Sequence, residues 1–342
     1  MGRRRPATIG RAIPVLSLCA FALWWWCLAS LAFASDWSVH VGNKTVYTDN
    51  VFEFSAARRL ALSEDPSQPS LVGLTRPSDF VWEPYADVTK TFTVGGSRTD
   101  ISAKAQGFLF TDNSSFNHGM YRLQARHYFS DDTSILVRYR YTPDLLLGPN
   151  TERRTGLRLL DEERVTSHAW RMQVEQRLSQ DWTATLIARY GLRRFNAAFA
   201  ERDTNFWTIG PQVSYRGIQR LVVTAGYLYE DGRADGRQDI QYRDDVSYRQ
   251  HVAVAGATVT LTERLSLDLG YFYRRKLFTS TIVGDSNNGT QDTTHQGSAE
   301  FAYRLSDAWR LSFGFQRTQR DSNRSQRGFF SDNVSVGVDF LY

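Results

Sequence analysis

The chain has 342 residues, of which 23% are charged and 13% aromatic, with 41 basic against 36 acidic side chains. Four of the basic residues, Arg3, Arg4, Arg5 and Arg11, precede the first acid, so the remainder holds 37 basic against 36 acidic groups, a balance of about +1. That balance excludes the broad positive field of a nucleic-acid binder. Both cysteines, Cys19 and Cys27, fall near the N-terminus, which excludes a disulfide framework in everything after them.

The N-terminus is basic, then apolar from Ala12 to Phe33, then small-x-small at Ala32-Phe33-Ala34. This order predicts a secretory signal peptide over 1–34, cleaved after Ala34, with residues 35–342 as one mature domain. A membrane anchor is the alternative, because the apolar run is long enough to cross a bilayer. Neither cysteine follows the small-residue pattern of a lipoprotein signal, so lipidation is not expected.

After Asp36 no apolar run could form a membrane helix, yet apolar and polar residues alternate over about ten positions again and again, the mark of a transmembrane β-barrel strand. Tyr121, Leu123, Ala125 and Phe129 alternate with Arg122, Gln124, Arg126 and Tyr128; Ile135, Val137, Tyr139 and Tyr141 alternate with Leu136, Arg138 and Arg140. The same period runs through Trp182–Tyr190, Leu221–Tyr229, Leu265–Tyr273 and Trp309–Phe315. Short turns are expected at Gly95-Gly96-Ser97, Ser130-Asp131-Asp132, Ser179-Gln180-Asp181, Arg216-Gly217-Ile218, Thr262-Glu263-Arg264 and Ser306-Asp307-Ala308. Longer polar segments lie near 49–78, 111–118, 143–163, 194–205, 230–245, 279–293 and 319–331. Six short turns alternating with seven long loops predict an all-β fold, a transmembrane antiparallel barrel of about fourteen strands with both termini in the periplasm.

The phrase Arg177-Leu178-Ser179-Gln180-Asp181-Trp182 returns as Arg304-Leu305-Ser306-Asp307-Ala308-Trp309, placing a Trp after each turn at headgroup level. The last strand alternates Val334, Val336, Val338, Phe340 and Tyr342 and ends on an aromatic. Such endings resemble the C-terminal signal of outer-membrane proteins, which implies the barrel assembly machinery as a partner through Phe340 and Tyr342. Outer-membrane lipid and lipopolysaccharide would surround the belt.

Alternation also names the lumen. Arginines point inward from four successive strands: Arg122 and Arg126, Arg138 and Arg140, Arg171 and Arg177, Arg189 and Arg193. Arg122, Arg140, Arg171 and Arg189 each lie eight positions from a periplasmic turn, so one basic wall is expected, suited to carboxylate, sulfate or phosphate. The inward acids Glu83, Asp87, Asp268, Glu300 and Asp339 are expected across the lumen from it. The alternative is a filled barrel in which arginines and acids pair, with Glu175 beside Arg171 and Arg177.

Catalytic and metal signals are sparse. His118 follows Asp112, Asn113, Ser114 and Ser115 near an outer loop, a conceivable Ser/His arrangement without a demonstrable acid. Asp285, Asn287, Asn288, Gly289 and Asp292 are spaced wrongly for a calcium loop, because glycine falls fifth, and suit an Asn-Gly turn instead. No catalytic residue, metal or cofactor is expected.

The phrase Asp49-Asn50-Val51-Phe52 resembles one found early in the β-barrel porins often encoded beside exopolysaccharide export genes. The resemblance implies saccharide export or uptake, with periplasmic helical repeats supplied by a separate partner. Three roles follow as expectations: a channel for anionic small solutes or saccharides; a non-conducting accessory barrel of an export system, plugged by Val51–Ser78; or an outer-membrane hydrolase.

Overall fold

In the computed structural model, the described residues are 36–51, 53–54, 78–324 and 327–342. The expected signal peptide, Phe52 and most of the proposed plug lie outside them. Fourteen antiparallel strands run β1 (Trp37–Thr48), β2 (Asp79–Val94), β3 (Ser97–Phe110), β4 (His118–Tyr128), β5 (Thr133–Thr151), β6 (Leu160–Arg177) and β7 (Trp182–Phe195). They continue as β8 (Thr204–Ile218), β9 (Leu221–Ala234), β10 (Tyr248–Thr260), β11 (Leu265–Phe278), β12 (Gln291–Arg304), β13 (Trp309–Ser322) and β14 (Phe329–Leu341). Each pairs with its sequence neighbour, and β14 returns to β1, closing the cylinder. Closure is what a bilayer demands, since lipid offers no partner to a free sheet edge.

The side-chain period divides the wall cleanly. Leu123, Val137, Met172, Leu186, Ile209, Tyr227, Leu269, Phe313 and Val336 are large, apolar and exposed, the lipid-facing set of an outer-membrane barrel. Their alternates face the lumen and are mostly polar.

Five of the six expected short turns fall where the sequence placed them. Gly95 and Gly96 have φ of 59° and 82°, the double left-handed geometry of a two-residue hairpin turn, open to glycine at little cost. At four others one hydroxyl caps the turn: Ser130, Thr262, Ser179 and Ser306 Oγ atoms each accept two backbone N–H groups just ahead. The repeated Leu-Ser phrase is thus a turn device. The sixth turn is displaced: β8 runs through Arg216-Gly217-Ile218, and the chain reverses at Gln219-Arg220, with Arg220 at φ 63°. A register shift between Tyr215 and Ile218 accounts for the difference.

The seven longer connections all lie at the opposite end, but several are shorter than their polarity suggests. Most of 143–163 is strand, because β5 and β6 project past the apolar belt as a hairpin with bulges at Thr142/Leu145 and Leu146/Gly148. Above the belt, polarity no longer distinguishes strand from loop.

Candidate functional site

The cross-strand register fixes which lumen side chains are neighbours. Arg122 stands opposite Arg140, and Arg138 opposite Arg171, which stands opposite Arg189. Five arginines therefore gather on β4–β7, though in two offset rows, because Arg140 is in register with Ala169 and Arg171 with Arg138. The Arg138 guanidinium is repelled by those of Arg122, Arg140, Arg126 and Arg189, and that of Arg171 by Arg189, Arg138 and Arg140. Like charges directly opposite destabilise a sheet. Arg138 Nε donates to Gln124 Oε1 (2.8 Å), whereas Arg171 Nε has no hydrogen-bond partner.

The other three predicted arginines leave the wall. Arg126 sits at its lower edge, 3.5 Å from Glu175, and Arg177 reaches Asp132 (3.5 Å) at the turn-lined rim. Glu175 therefore serves Arg126 rather than Arg171 and Arg177. Arg193 belongs to the outer half, where its guanidinium lies 4.3 Å from the Phe206 ring centre, 5.5 Å from that of Tyr248 and 3.7 Å from Glu230.

The acids divide as well. Asp268, Glu300 and Asp339, on β11, β12 and β14, stand across the ring from the arginines. Glu300 accepts from Lys44 Nζ (2.5 Å), Asp268 lies 3.8 Å from Arg310, and the Tyr85 hydroxyl donates to Asp339. On β2, by contrast, Asp87 accepts directly from Arg122, so it flanks the wall instead of facing it. Glu83 is fully buried and accepts from Gln106 Nε2 (3.1 Å). A cavity of about 320 Å³ opens beside Lys44, Asp268, Glu300, Gln316 and Asn333, with Phe54 on its boundary.

The lumen has two unlike halves. Near the short turns its side chains are wet: Glu175 and Arg310 are 42% and 48% exposed. Towards the long loops, inward Thr294, Thr318 and Ser331 are 0% exposed. Packing there comes from the connections themselves. In the 3-10 turn Ala197–Arg202, Arg202 Nη1 donates to both oxygens of Glu163 (2.9 and 2.8 Å) while its Nε donates to Asp244 (2.6 Å). Burial opposes this charge, but the two carboxylates more than restore it and hold the guanidinium above its usual range. One residue thus ties the β7–β8 loop to β6 and to the β9–β10 loop. Beside it Glu201 is buried with neither carboxylate oxygen hydrogen-bonded, and burial pushes its carboxyl upward.

A second band alternates cations and rings: Lys276 Nζ lies 4.1 Å from the Tyr248 ring centre and 4.7 Å from that of Phe278, and Arg327 lies 5.2 Å from Phe278. The β1–β2 connection also enters: Phe54 is fully buried edge-on to Phe110 (5.6 Å), and Glu53 meets Arg320 (3.3 Å). Sequence reading missed Arg202, Lys276 and Arg320. Arg202 sits in a polar loop with no signal that it folds inward, whereas Lys276 and Arg320 share the inward parity used for the arginines and could have been found by it.

His118 Nδ1 lies 2.9 Å from the Phe116 carbonyl oxygen, and its ring stacks on Phe108 at 4.5 Å. Asp285 accepts from the backbone N–H groups of Asp245 and Asn287, as a turn carboxylate does. Among the described residues, no group of three or more His, Cys, Asp or Glu is poised to hold a metal.

No protein-family model matches the chain, and no curated protein sequence is similar to it. Solved structures are similar. The outer-membrane channel DcaP of Acinetobacter baumannii is 12% identical with a TM-score of 0.52, over 90% of this chain and 96% of that one. An anion-selective porin of Comamonas acidovorans is 11% identical, TM-score 0.47, over 90% and 98%. A bacterial polysaccharide outer-membrane secretin is 10% identical, TM-score 0.48, over 90% and 98%. The likeness to the first is one of fold, and the other two are too distant to carry an argument.

Proposed function

We propose that this barrel is an outer-membrane channel for anionic solutes, from small anions to acidic saccharides, held closed at its loop-bearing mouth by its own connections. The observation that carries the reading is the direct register of Arg138, Arg171 and Arg189 with Arg122 and Arg140 beside them. Mutual repulsion makes such a cluster costly when empty, and a carboxylate, sulfate or phosphate offsets it. In this reading both termini are periplasmic, solute enters the wet half from that side, and no covalent chemistry is performed. The channel fold of DcaP is consistent with it. Export-system partners, and the assembly machinery acting through Phe340 and Tyr342, belong to the same proposal.

The test is the reversal potential of open bursts in planar bilayers under a salt gradient. Anion preference is expected, falling towards zero in Arg138→Gln/Arg171→Gln. Cation preference, or a preference unmoved by those changes, contradicts the reading.

A second reading, a plugged accessory barrel, is favoured by Glu53 and Phe54, where the β1–β2 connection enters the lumen. Deleting residues 55–77 separates the two: conductance that appears only after deletion supports a plug.

A further inference from the structure

On the lipid face one arrangement occurs three times. Tyr139-Arg140-Tyr141, Tyr227-Leu228-Tyr229 and Tyr271-Phe272-Tyr273 each face a histidine on the next strand, in register with the second tyrosine: His168, His251 and His295. In each, the first tyrosine hydroxyl shares a hydrogen bond with the histidine Nδ1, at 2.8, 2.6 and 2.8 Å. The second packs its ring on the imidazole, with centroids 5.0, 5.4 and 5.2 Å apart.

The three copies share one height. Each histidine lies ten residues before Leu178, Leu261 or Leu305, whose N–H groups close equivalent turns on the carbonyls of Trp182, Leu265 and Trp309. Ten residues of a tilted strand rise about 25 Å, the thickness of a barrel's apolar band. The tyrosine-histidine sets therefore stand where acyl chains give way to headgroups on the loop side.

One copy is flanked by positive charge. His251 is in register with Arg275, which is exposed and hydrogen-bonded to the uncharged amide of Gln291 (3.0 Å). Arg249, two positions from His251, has a 59% exposed side chain and shares Asp231 with Arg233. Asp321, two strands beyond Arg275, engages Gln319. Three arginines against Asp231 leave this sector basic at the headgroup plane.

We infer that His251, Arg249 and Arg275 form a binding site for the phosphate of a phosphorylated glycolipid of the outer leaflet, with Tyr227 and Tyr229 holding the imidazole. The chemistry is charge-assisted hydrogen bonding to a phosphate set at a fixed depth. The inference rests on the membrane belt and not on the channel reading.

The experiment measures retention of bisphosphorylated lipid A and of its dephosphorylated form by the full folded barrel, by native mass spectrometry. Wild type is expected to retain the phosphorylated form selectively. Two arginines near a headgroup plane are together worth about thirtyfold, and Arg249→Gln/Arg275→Gln is expected to weaken retention by that factor. If the double variant loses heat-modifiable mobility, Arg275→Gln alone is read instead, with about a fivefold loss. Arg171→Gln, inside the lumen, is expected to bind as wild type, so a failed channel reading would leave this result standing. Equal retention of the dephosphorylated lipid, or variants that bind like wild type, overturns the inference. So does inorganic phosphate displacing the lipid at equal concentration, because the site would then take free anion.

Discussion

Replacing Arg202 by methionine should open the loop-bearing end of the barrel. The residue is 6% exposed, and its side chain makes three charge-assisted hydrogen bonds, two to Glu163 and one to Asp244. Glu163 would keep its bond from Asn150 Nδ2 (2.8 Å), but two carboxylates would remain buried without a cation between them. Removing one partner of a buried ion pair costs about 3–5 kcal/mol. Charged against the closed arrangement alone, that moves the closed-to-open ratio by roughly two to four orders of magnitude. Glu163 and Asp244 would regain water only if the β7–β8 and β9–β10 loops lift, so the change acts on loop position and leaves the barrel paired. The assay is single-channel conductance together with limited proteolysis at residues 235–247 of the folded protein. Arg202→Met is expected to raise open probability and expose the loop to cleavage, while Arg202→Lys, which keeps the charge without the fork, falls between. Wild-type conductance and wild-type protection in Arg202→Met would refute the clamp.

Further outcomes are expected. The Glu201 carboxyl is pushed up by burial, so the closed loop binds a proton more tightly than the open one; closure is expected to strengthen as pH falls through the raised value and to weaken above it. Glu201→Gln removes that part of the pH dependence of conductance. A Cβ at Gly210 would lie 1.9 Å from the Tyr227 carbonyl oxygen, whereas at Gly191 the obstacle is the Phe206 ring at 2.1 Å. Gly210→Ala is therefore expected to lower the melting temperature more than Gly191→Ala, which costs about 1–3 kcal/mol, as followed by heat-modifiable gel mobility. Deleting Leu341 and Tyr342 removes the partners of His40 and Val39 on β1, and should slow assembly in cells more than it destabilises the finished barrel.

Much of this architecture is legible in the sequence because a strand's period is two and admits no ambiguity of face. Parity turns Arg122, Arg138, Arg171 and Arg189 inward, and the register makes neighbours of Arg138, Arg171 and Arg189. Height was less legible: counting from the turns put Arg122, Arg140, Arg171 and Arg189 in one row, but the stagger between β5 and β6 sets Arg138, not Arg140, beside Arg171. The displaced turn at Gln219-Arg220 has a similar origin, a local shift that no residue type announces. Closure of the outer half was hidden more deeply. Arg202, Asp244 and Glu53 lie in polar connections whose composition fits solvent equally well, and only the folded chain brings Arg202 to Asp244 and, separately, Glu53 to Arg320. The tyrosine-histidine sets lie between these cases: three Tyr-x-Tyr phrases and three histidines are visible in the sequence, with Tyr139 29 residues before His168 but Tyr227 and Tyr271 each 24 before His251 and His295, and their pairing appears only once the strands close.

The most direct test exploits a chain that, beyond its first 34 residues, has no cysteine. Single cysteines at Arg171 and, across the lumen, at Asp268 are treated with anionic and cationic methanethiosulfonates from the short-turn side, with Met172→Cys as the lipid-facing control. The expected result is labelling at 171 and 268 but not 172, with an anionic-to-cationic rate ratio clearly higher at 171 than at 268. Labelling at 172, or equal ratios on the two sides of the lumen, would contradict a water-filled vestibule walled by arginine.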